Sequence, residues 1–396
     1  MVLLRILLLV ILECCAAPGY SATNDEMPII AYWGVPDWRT TDDDFRTFRE
    51  CGFTVSLYPY TSLDVLLTAC RVADRNGVKV MGTCPELSEQ SLKAAQALKD
   101  ENGFYGYIIK DEPTMPEIGQ LQEKIEQLRR VDKTHCYYIN LLPYQQSEPE
   151  WLKTVTKANT YTEYLKAASA TSCEQISFDH YPITTQGIRN TWYHNLEMIR
   201  QECLVSDKPF WGFVLSVPHA DYPQPTIGSL RLQIYSNLAY GAQAIQYFTY
   251  WTPKDNKDYD FHDAPISEDG HKTKTYALVQ SMNKELKVVA PLFYKSKVLS
   301  VRHLGNIPKG TMRQTMMPKN IRSLKIIGQQ GALISQLEKD GHQYLVIVNK
   351  SHENNLTVRI KPRNNTPRHI TKALQEEPMK ASYSVQAGDI LLFQLN

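Results

Sequence analysis

Eight short apolar runs follow one another between Met27 and Lys295, each ending near Gly, Pro, Asp or Asn and each trailed by a segment of helical period. The runs are Ile29–Trp33, Thr54–Tyr58, Lys79–Thr83, Gly106–Lys110, Cys136–Leu141, Gln175–Phe178, Pro209–Leu215 and Ala244–Tyr250. Most are rich in Ile, Val, Tyr or Phe, as strands of a parallel sheet covered on both faces must be. The helical segments are Thr41–Cys51, Leu63–Asn76, Ser88–Glu101, Met115–Val131, Glu150–Ala170, Ile188–Cys203, Thr226–Tyr240 and Thr273–Val289. The first opens on Asp42, Asp43 and Asp44, which favour a helix N-terminus, and the second stops at Gly77, a C-terminal cap. Eight such units over about 265 residues predict an α/β chain folded as a (β/α)8 TIM barrel. A doubly wound sheet shares the alternation, but the count of eight and the lack of a Gly-rich phosphate loop favour closure. After Pro291 the pattern changes. Ser323–Ile327, Gly331–Glu338, Gln343–Asn349, Leu356–Ile360 and Asp389–Gln394 read as strands, separated by turns such as Lys339-Asp340-Gly341-His342. The expected domains are therefore a barrel over 27–295 and a small C-terminal antiparallel β-sandwich over 296–396.

The N-terminus reads as a secretory signal over 1–22: an apolar stretch from Val2 to Leu12 with one basic residue, Arg5, then small residues from Ala16 to Ala22. It is too short to span a membrane. Cys14 and Cys15 offer a lipid-anchor site as the alternative, although Glu13 before Cys14 fits such a signal poorly. The chain is thus expected to be exported, to periplasm, cell surface or extracellular space. Six cysteines follow the leader, at 51, 70, 84, 136, 173 and 203, with room for one or two disulfides that the fold does not need. No CxxC pair occurs, so neither a metal nor a cofactor is expected. Lys and Arg number 43 against 42 Asp and Glu, which leaves no basic footprint for nucleic acid.

In a barrel the chemistry sits where strands meet the loops that follow them. The fourth run, Gly106-Tyr107-Ile108-Ile109-Lys110-Asp111-Glu112-Pro113, ends in two carboxylates and a proline that stops pairing. Other strand ends supply Tyr32-Trp33-Gly34, Tyr58-Pro59-Tyr60, Cys84-Pro85-Glu86, Asn140, Asp179-His180-Tyr181-Pro182, Ser216-Val217-Pro218-His219 and Tyr250-Trp251-Thr252. Carboxylates mixed with aromatic platforms suit a carbohydrate, whose hydroxyls need acceptors and whose ring faces stack on Trp or Tyr. The candidate aromatic wall is Trp33, Tyr58, Trp211, Tyr247 and Trp251, with Trp33 and Trp251 nearest the loop face.

Three stretches together resemble the clan of (β/α)8 glycoside hydrolases that includes the family 42 β-galactosidases. Gly106–Pro113 is similar to the clan's fourth strand, which ends in Asn-Glu. Leu230–Ala242 with Gln243–Trp251 resembles the helix before the eighth strand and that strand's substrate-facing Trp. Ser267-Glu268-Asp269-Gly270 with Ala277–Pro291 resembles the closing loop and helix. The resemblance implies that Glu112 is the general acid/base. It also exposes two departures: Asp111 stands where the clan has Asn, and Phe213-Val214-Leu215-Ser216 lacks the strand-seven Glu nucleophile.

Asp179 is the favoured second catalytic carboxylate, as nucleophile or water-activating base, against a structural role beside His180 or Arg189. Glu86, which can instead cap a helix near Ser88, and Asp221, in a Pro-rich loop, are weaker candidates. A separation of about 5 Å between the two carboxyls means retention of configuration, and about 6.5–9.5 Å inversion. Expected substrate-binding residues are Asp111, Trp33, Tyr58, Asn140, His180, Tyr181, His219 and Trp251. The expected function is hydrolysis of a glycosidic bond in an oligo- or polysaccharide. The alternative is a non-catalytic glycan-binding protein on the same scaffold, favoured by the missing strand-seven acid, and a lyase or transglycosylase comes third.

Overall fold

The computed structural model describes residues 26–145, 149–254, 259–363 and 366–395; the expected leader, with Cys14 and Cys15, lies outside them. Eight parallel strands close into a barrel in sequence order: β1 (Ile29–Tyr32), β2 (Val55–Pro59), β3 (Lys79–Thr83), β4 (Phe104–Asp111), β5 (Cys136–Leu141), β6 (Ile176–Phe178), β7 (Phe210–Leu215) and β8 (Ala244–Phe248). Alternation sorts their side chains. Ile30, Val55, Leu57, Met81, Tyr105, Tyr138, Trp211 and Ala244 fill the barrel, while Ile29, Val80, Tyr137, Val214 and Ile245 face the helical layer. At Gly106 a Cβ would lie 2.3 Å from the Cys136 carbonyl oxygen, so glycine lets β4 approach β5.

The helical layer comprises α1 (Asp42–Glu50), α2 (Leu63–Arg75), α3 (Ser91–Leu98), α4 (Met115–Arg129), α5 (Tyr161–Ser169), α6 (Trp192–Ser206), α7 (Ile227–Tyr240) and α8 (Lys274–Phe293). Two expected helices are broken. Ser88–Glu101 divides at Gln90, whose ψ of 49° leaves the helical region. Glu150–Ala170 divides into Pro149–Thr156 and α5, because the Thr160/Glu163 capping box starts a new helix. Helix α6 begins after the expected Ile188, which pairs instead in a small hairpin of Ile183–Thr184 with Gly187–Ile188. The six cysteines after the leader are free thiols.

Beyond α8 two antiparallel sheets form. The larger orders Lys297–Leu304, Ala332–Lys339, His342–Asn349, Ile390–Gln394, Arg368–Ile370 and Glu376–Glu377; the smaller orders Ile321–Ile327, Leu356–Pro362 and Ser382–Val385. The larger sheet is buried on both faces. Ile334, Leu345, Ile347 and Phe393 meet the smaller sheet, while Leu333, Leu337, Val346, Val348 and Leu392 join the barrel's core. Helix α7 lies between that sheet and β7 and is buried almost all round. Across this junction Glu285 accepts from Arg231 Nε at 3.0 Å and Nη2 at 2.7 Å, and Lys372 bridges Glu285 at 3.1 Å to Asp389 at 2.9 Å. Replacing Arg231 by Met strands part of this charge in poorly solvated surroundings. The expected loss is about 3 kcal/mol, the low end for breaking a buried pair because Lys372 still neutralises it. Urea denaturation of both proteins measures it.

Candidate active site

Alternation also sets the polar layer at the C-terminal mouth of the barrel. Asn140 shares a face with Tyr138, and Gln246 shares one with Ala244. The Gln246 amide donates to Ser177 Oγ at 2.9 Å, Ser177 Oγ donates to Asn140 Oδ1 at 2.9 Å, and Asn140 Nδ2 donates to Asp111 Oδ1 at 3.1 Å. From the opposite side of the barrel the Tyr32 hydroxyl donates to Asp111 Oδ2 at 2.7 Å. This chain of hydrogen bonds crosses from β8 through β6 and β5 to β4 and β1, and it fixes both oxygens of Asp111.

A bulge in β4 makes this possible. Ile108 pairs with Tyr138 and Lys110 with Ile139, so Ile109 is the extra residue and Asp111 arrives opposite Asn140. Lys110 turns outward to Glu117 at 3.2 Å. Glu112 follows at a φ of 45°, with its N–H donating to the Asn140 carbonyl at 2.9 Å. A regular strand would send residues 111 and 112 to opposite faces. The left-handed turn breaks that alternation at a strain of about 1–2 kcal/mol. Strain of this kind concentrates at functional sites, and Trp33, at the end of β1, carries it too, with a φ of 48°.

Glu112 is open to solvent on one side and crowded by protein on the others. That partial desolvation, and then the Asp111 charge, pushes its carboxyl up to about 7. Asp179 lies deeper, just past β6. Its Oδ1 is buried without a hydrogen-bond partner, and its carboxyl is held well above the usual range by burial first, then by Glu112 and Asp111. Both carboxyls lose solvation first, and neighbouring charge adds to it: Asp111 acts on Glu112, and Glu112 with Asp111 acts on Asp179. The last proton belongs to the pair. With one proton shared between them the pair is one acid and one carboxylate, the combination that acid/base cleavage requires.

A pH prediction follows from the sign of these effects. Activity that needs Glu112 protonated as the acid falls as pH increases through about 7. Asp111→Asn removes the charge that adds to Glu112's burial, so this limb moves to lower pH, though not to the ordinary glutamate value. A kcat/KM profile of both proteins checks it; an unmoved limb means that Glu112 is not the titrating group.

At the end of β7 no carboxylate stands. Ser216 is fully buried with Oγ donating to the Thr249 carbonyl at 2.7 Å, and the Leu215 N–H donates to Gln233. His180 is buried and held neutral, its pKa lowered to about 4 chiefly by burial, with Nδ1 2.9 Å from Asn195 Oδ1 and Nε2 3.4 Å from Thr191 Oγ1. Its ring nitrogens are therefore taken by the fold. Tyr181 packs edge-on against Phe213, with its hydroxyl buried and unpartnered beside the carboxylates. His219 is buried, Nδ1 at 3.0 Å from the Val217 carbonyl and its ring 4.7 Å from Phe261. Glu86 caps α2 rather than its own helix, accepting from the Leu63 N–H at 3.0 Å, and Asp221 pairs with Arg189 at 3.3 Å.

Of the aromatic candidates, Trp33, Tyr58 and Trp251 come together in a cleft of about 590 Å³ that also takes in Trp38, Tyr259 and Phe261. Trp211 lies instead deep in the barrel, stacked on Tyr138 at 5.9 Å, and Tyr247 faces outward onto Phe53. The carboxylates do not line the cleft; Tyr32 and Trp33, adjacent in the chain, join the two. A larger cavity of about 900 Å³ opens at the barrel's other end, among residues such as Thr54, Lys79, Phe104 and Pro209, away from this chemistry. Tyr32 is the site residue that sequence reasoning placed only as a strand end. Its position was legible, but its partner three strands away was not. No group of three or more His, Cys, Asp or Glu among the described residues is placed to hold a metal. Nor is any described helix long and apolar enough to cross a membrane.

Residues 132–289, from the turn before β5 to α8, match the family 42 glycoside hydrolase (β-galactosidase) family model. That span contains Asp179 but not Glu112. A search of curated proteins found no match. Among solved structures, a catalytic mutant of a family 42 β-galactosidase from G. stearothermophilus aligns over 95% of this chain and 99% of its own, at 8% identity and a TM-score of 0.63. The β-galactosidase of Bacillus circulans sp. alkalophilus aligns over 94% and 100%, at 10% identity and a TM-score of 0.59. The chain spans only 60% of the β-galactosidase of the psychrophilic Marinomonas ef1, which covers 67% of this chain at 10% identity, and a TM-score of 0.47 carries no argument. At these identities the likeness shows the fold alone, over nearly the whole of this chain.

Proposed function

We propose that the protein is an exported glycoside hydrolase in which Glu112 and Asp179 divide the acid and base roles. The observation that carries the reading is electrostatic. Two carboxyls at the C-terminal mouth of the barrel are pushed above the usual range, by burial first and then by the charges of their neighbours, Asp111 on Glu112 and Glu112 with Asp111 on Asp179. Glu112, open to solvent, gives the proton to the leaving oxygen and recovers one from water. Asp179, as the deeper carboxylate of the singly protonated pair, faces the anomeric carbon or the attacking water. Asp111, whose two oxygens are fixed by Tyr32 and Asn140, accepts from a sugar hydroxyl with its remaining lone pairs. Export rests on the apolar run from Val2 to Leu12.

The test is incubation with neutral oligosaccharides and aryl glycosides in water enriched in oxygen-18. Hydrolysis places the label on the released anomeric carbon. An unsaturated, unlabelled product makes the protein a lyase. A second reading, a glycan-binding protein, is favoured by the missing acid at the end of β7; saturable sugar binding with no product in any incubation establishes it instead.

A further inference from the structure

In the aromatic cleft the polar atoms of Trp251 and Thr252 are turned onto the protein itself. Trp251 Nε1 donates to the Glu268 carbonyl at 3.2 Å. Thr252 Oγ1 donates to the Ile266 carbonyl at 2.8 Å and accepts from the Ala264 N–H at 3.2 Å. Lys254 and Glu268 carry their charges at the exposed rim. The rest of the lining is mostly ring surface, from Trp33, Trp38, Tyr58, Tyr259 and Phe261. Trp33 and Tyr58 meet edge to face at 5.2 Å and 78°, and Trp38 meets Tyr58 at 6.1 Å and 82°. Such perpendicular walls form a slot with flat sides. Trp38 leaves 59% of its surface in water and lines the cleft beside Trp33, Tyr58 and Trp251, so that apolar ring surface is open to a ligand.

A second sugar would bring a rim of hydroxyls into this slot, strip them of water and find few partners, which opposes binding. A flat apolar ring system pays no such penalty and stacks on Trp and Tyr. The volume, about 590 Å³, suits a group of two fused rings with room for the linkage. One strand end links the slot to the chemistry. Trp33 lines it, and the next residue back, Tyr32, holds Asp111.

We infer that the cleft formed by Trp33, Trp38, Tyr58 and Trp251 binds a flat, apolar aglycone, so that the substrates are glycosides of phenol- or naphthol-type alcohols rather than chains of sugars. The inference rests on the hydrolase reading for the word substrate, but the cleft can be tested without catalysis. Stacking expected on a sugar ring at Trp33, Tyr58 and Trp251 is thereby reassigned to the group the sugar is attached to.

The experiment is isothermal titration calorimetry of 2-naphthol, with cyclohexanol and lactose as comparators, against the wild type, Glu112→Gln, Trp38→Ala and Trp38→Phe. The expected result is that 2-naphthol binds wild type and Glu112→Gln equally, at least tenfold more tightly than either comparator. Trp38→Ala weakens it fivefold or more, and Trp38→Phe restores most of the loss. Trp38 is exposed enough that its removal leaves the fold intact, which circular dichroism checks. Absence of saturable 2-naphthol binding, tighter binding of lactose, or an unchanged affinity in Trp38→Ala overturns the inference. The two readings fail separately. Naphthol binding without any hydrolysis keeps the aryl site and removes the enzyme; hydrolysis confined to oligosaccharides, with no naphthol binding, does the reverse.

Discussion

Replacing Glu112 by Gln lowers kcat by roughly 100- to 10,000-fold, the contribution of a positioned general acid/base. Gln keeps the shape of the side chain and its neutral state, so substrate affinity changes little. The loss depends on the leaving group. Expelling a sugar or alkyl oxygen requires a proton, whereas an acidic phenol leaves with little help, so the variant retains far more activity on nitrophenyl glycosides than on alkyl ones. The limb of the pH profile near 7 disappears as well, because the group responsible for it, held at about 7 by crowding and by Asp111, is gone. Steady-state kinetics on a leaving-group series measures all three effects. An equal loss on every leaving group would assign Glu112 to substrate binding instead.

Asp179→Asn is expected to cost a comparable factor, at least roughly 100-fold, by removing the second carboxylate. The configuration of the sugar released by wild type separates the two ways this can happen: retention if Asp179 is the nucleophile, inversion if it activates water. Azide added to the variant attacks from the vacated side in either case and restores turnover as a glycosyl azide of inverted configuration. The same variant is expected to be more thermally stable than wild type at pH 8. A carboxyl whose folded pKa lies above its unfolded value, as Asp179's does through burial and two neighbouring charges, contributes stability that is whole below the unfolded value of about 4 and is lost as pH rises through the folded one. Asn titrates at neither pH, so the advantage in Tm shrinks as the pH is lowered towards 4. A gain in stability coupled to a loss of activity is the behaviour of a functional residue kept against the interest of the fold. A loss of both would make Asp179 a structural acceptor.

The barrel was legible because strand burial and helical period are local. Each of the eight apolar runs became a strand, shifted at its ends by no more than two residues. The two broken helices were missed for local reasons too: Gln90 carries no breaker signature, and the Thr160/Glu163 capping box lies inside a continuous apolar period. Asp111, Glu112 and Asp179 could be singled out because a barrel places its chemistry at strand ends. What strand position could not give was the electrostatic order among them. That depends on how far Asp179 sinks below the mouth and on the bulge at Ile109 that brings Asp111 opposite Asn140. His180 shows the converse failure. The Asp-His-Tyr-Pro string looks like a substrate handle, yet Asn195, on the helix that follows it, claims the ring. The Tyr32–Asp111 bond is a long-range consequence of closure, and no local pattern announces it.

The claim that Glu112 and Asp179 are a working acid/base pair is tested most directly by following sugar release and sugar binding side by side for wild type and Glu112→Gln, on a panel of plant, host and microbial oligosaccharides together with aryl glycosides. The account predicts that wild type cleaves at least one of them and that Glu112→Gln binds the same compound with similar affinity while cleaving it at least roughly 100-fold more slowly. Equal binding by both proteins with no cleavage by either contradicts it, and makes the three carboxylates a device for holding hydroxyls.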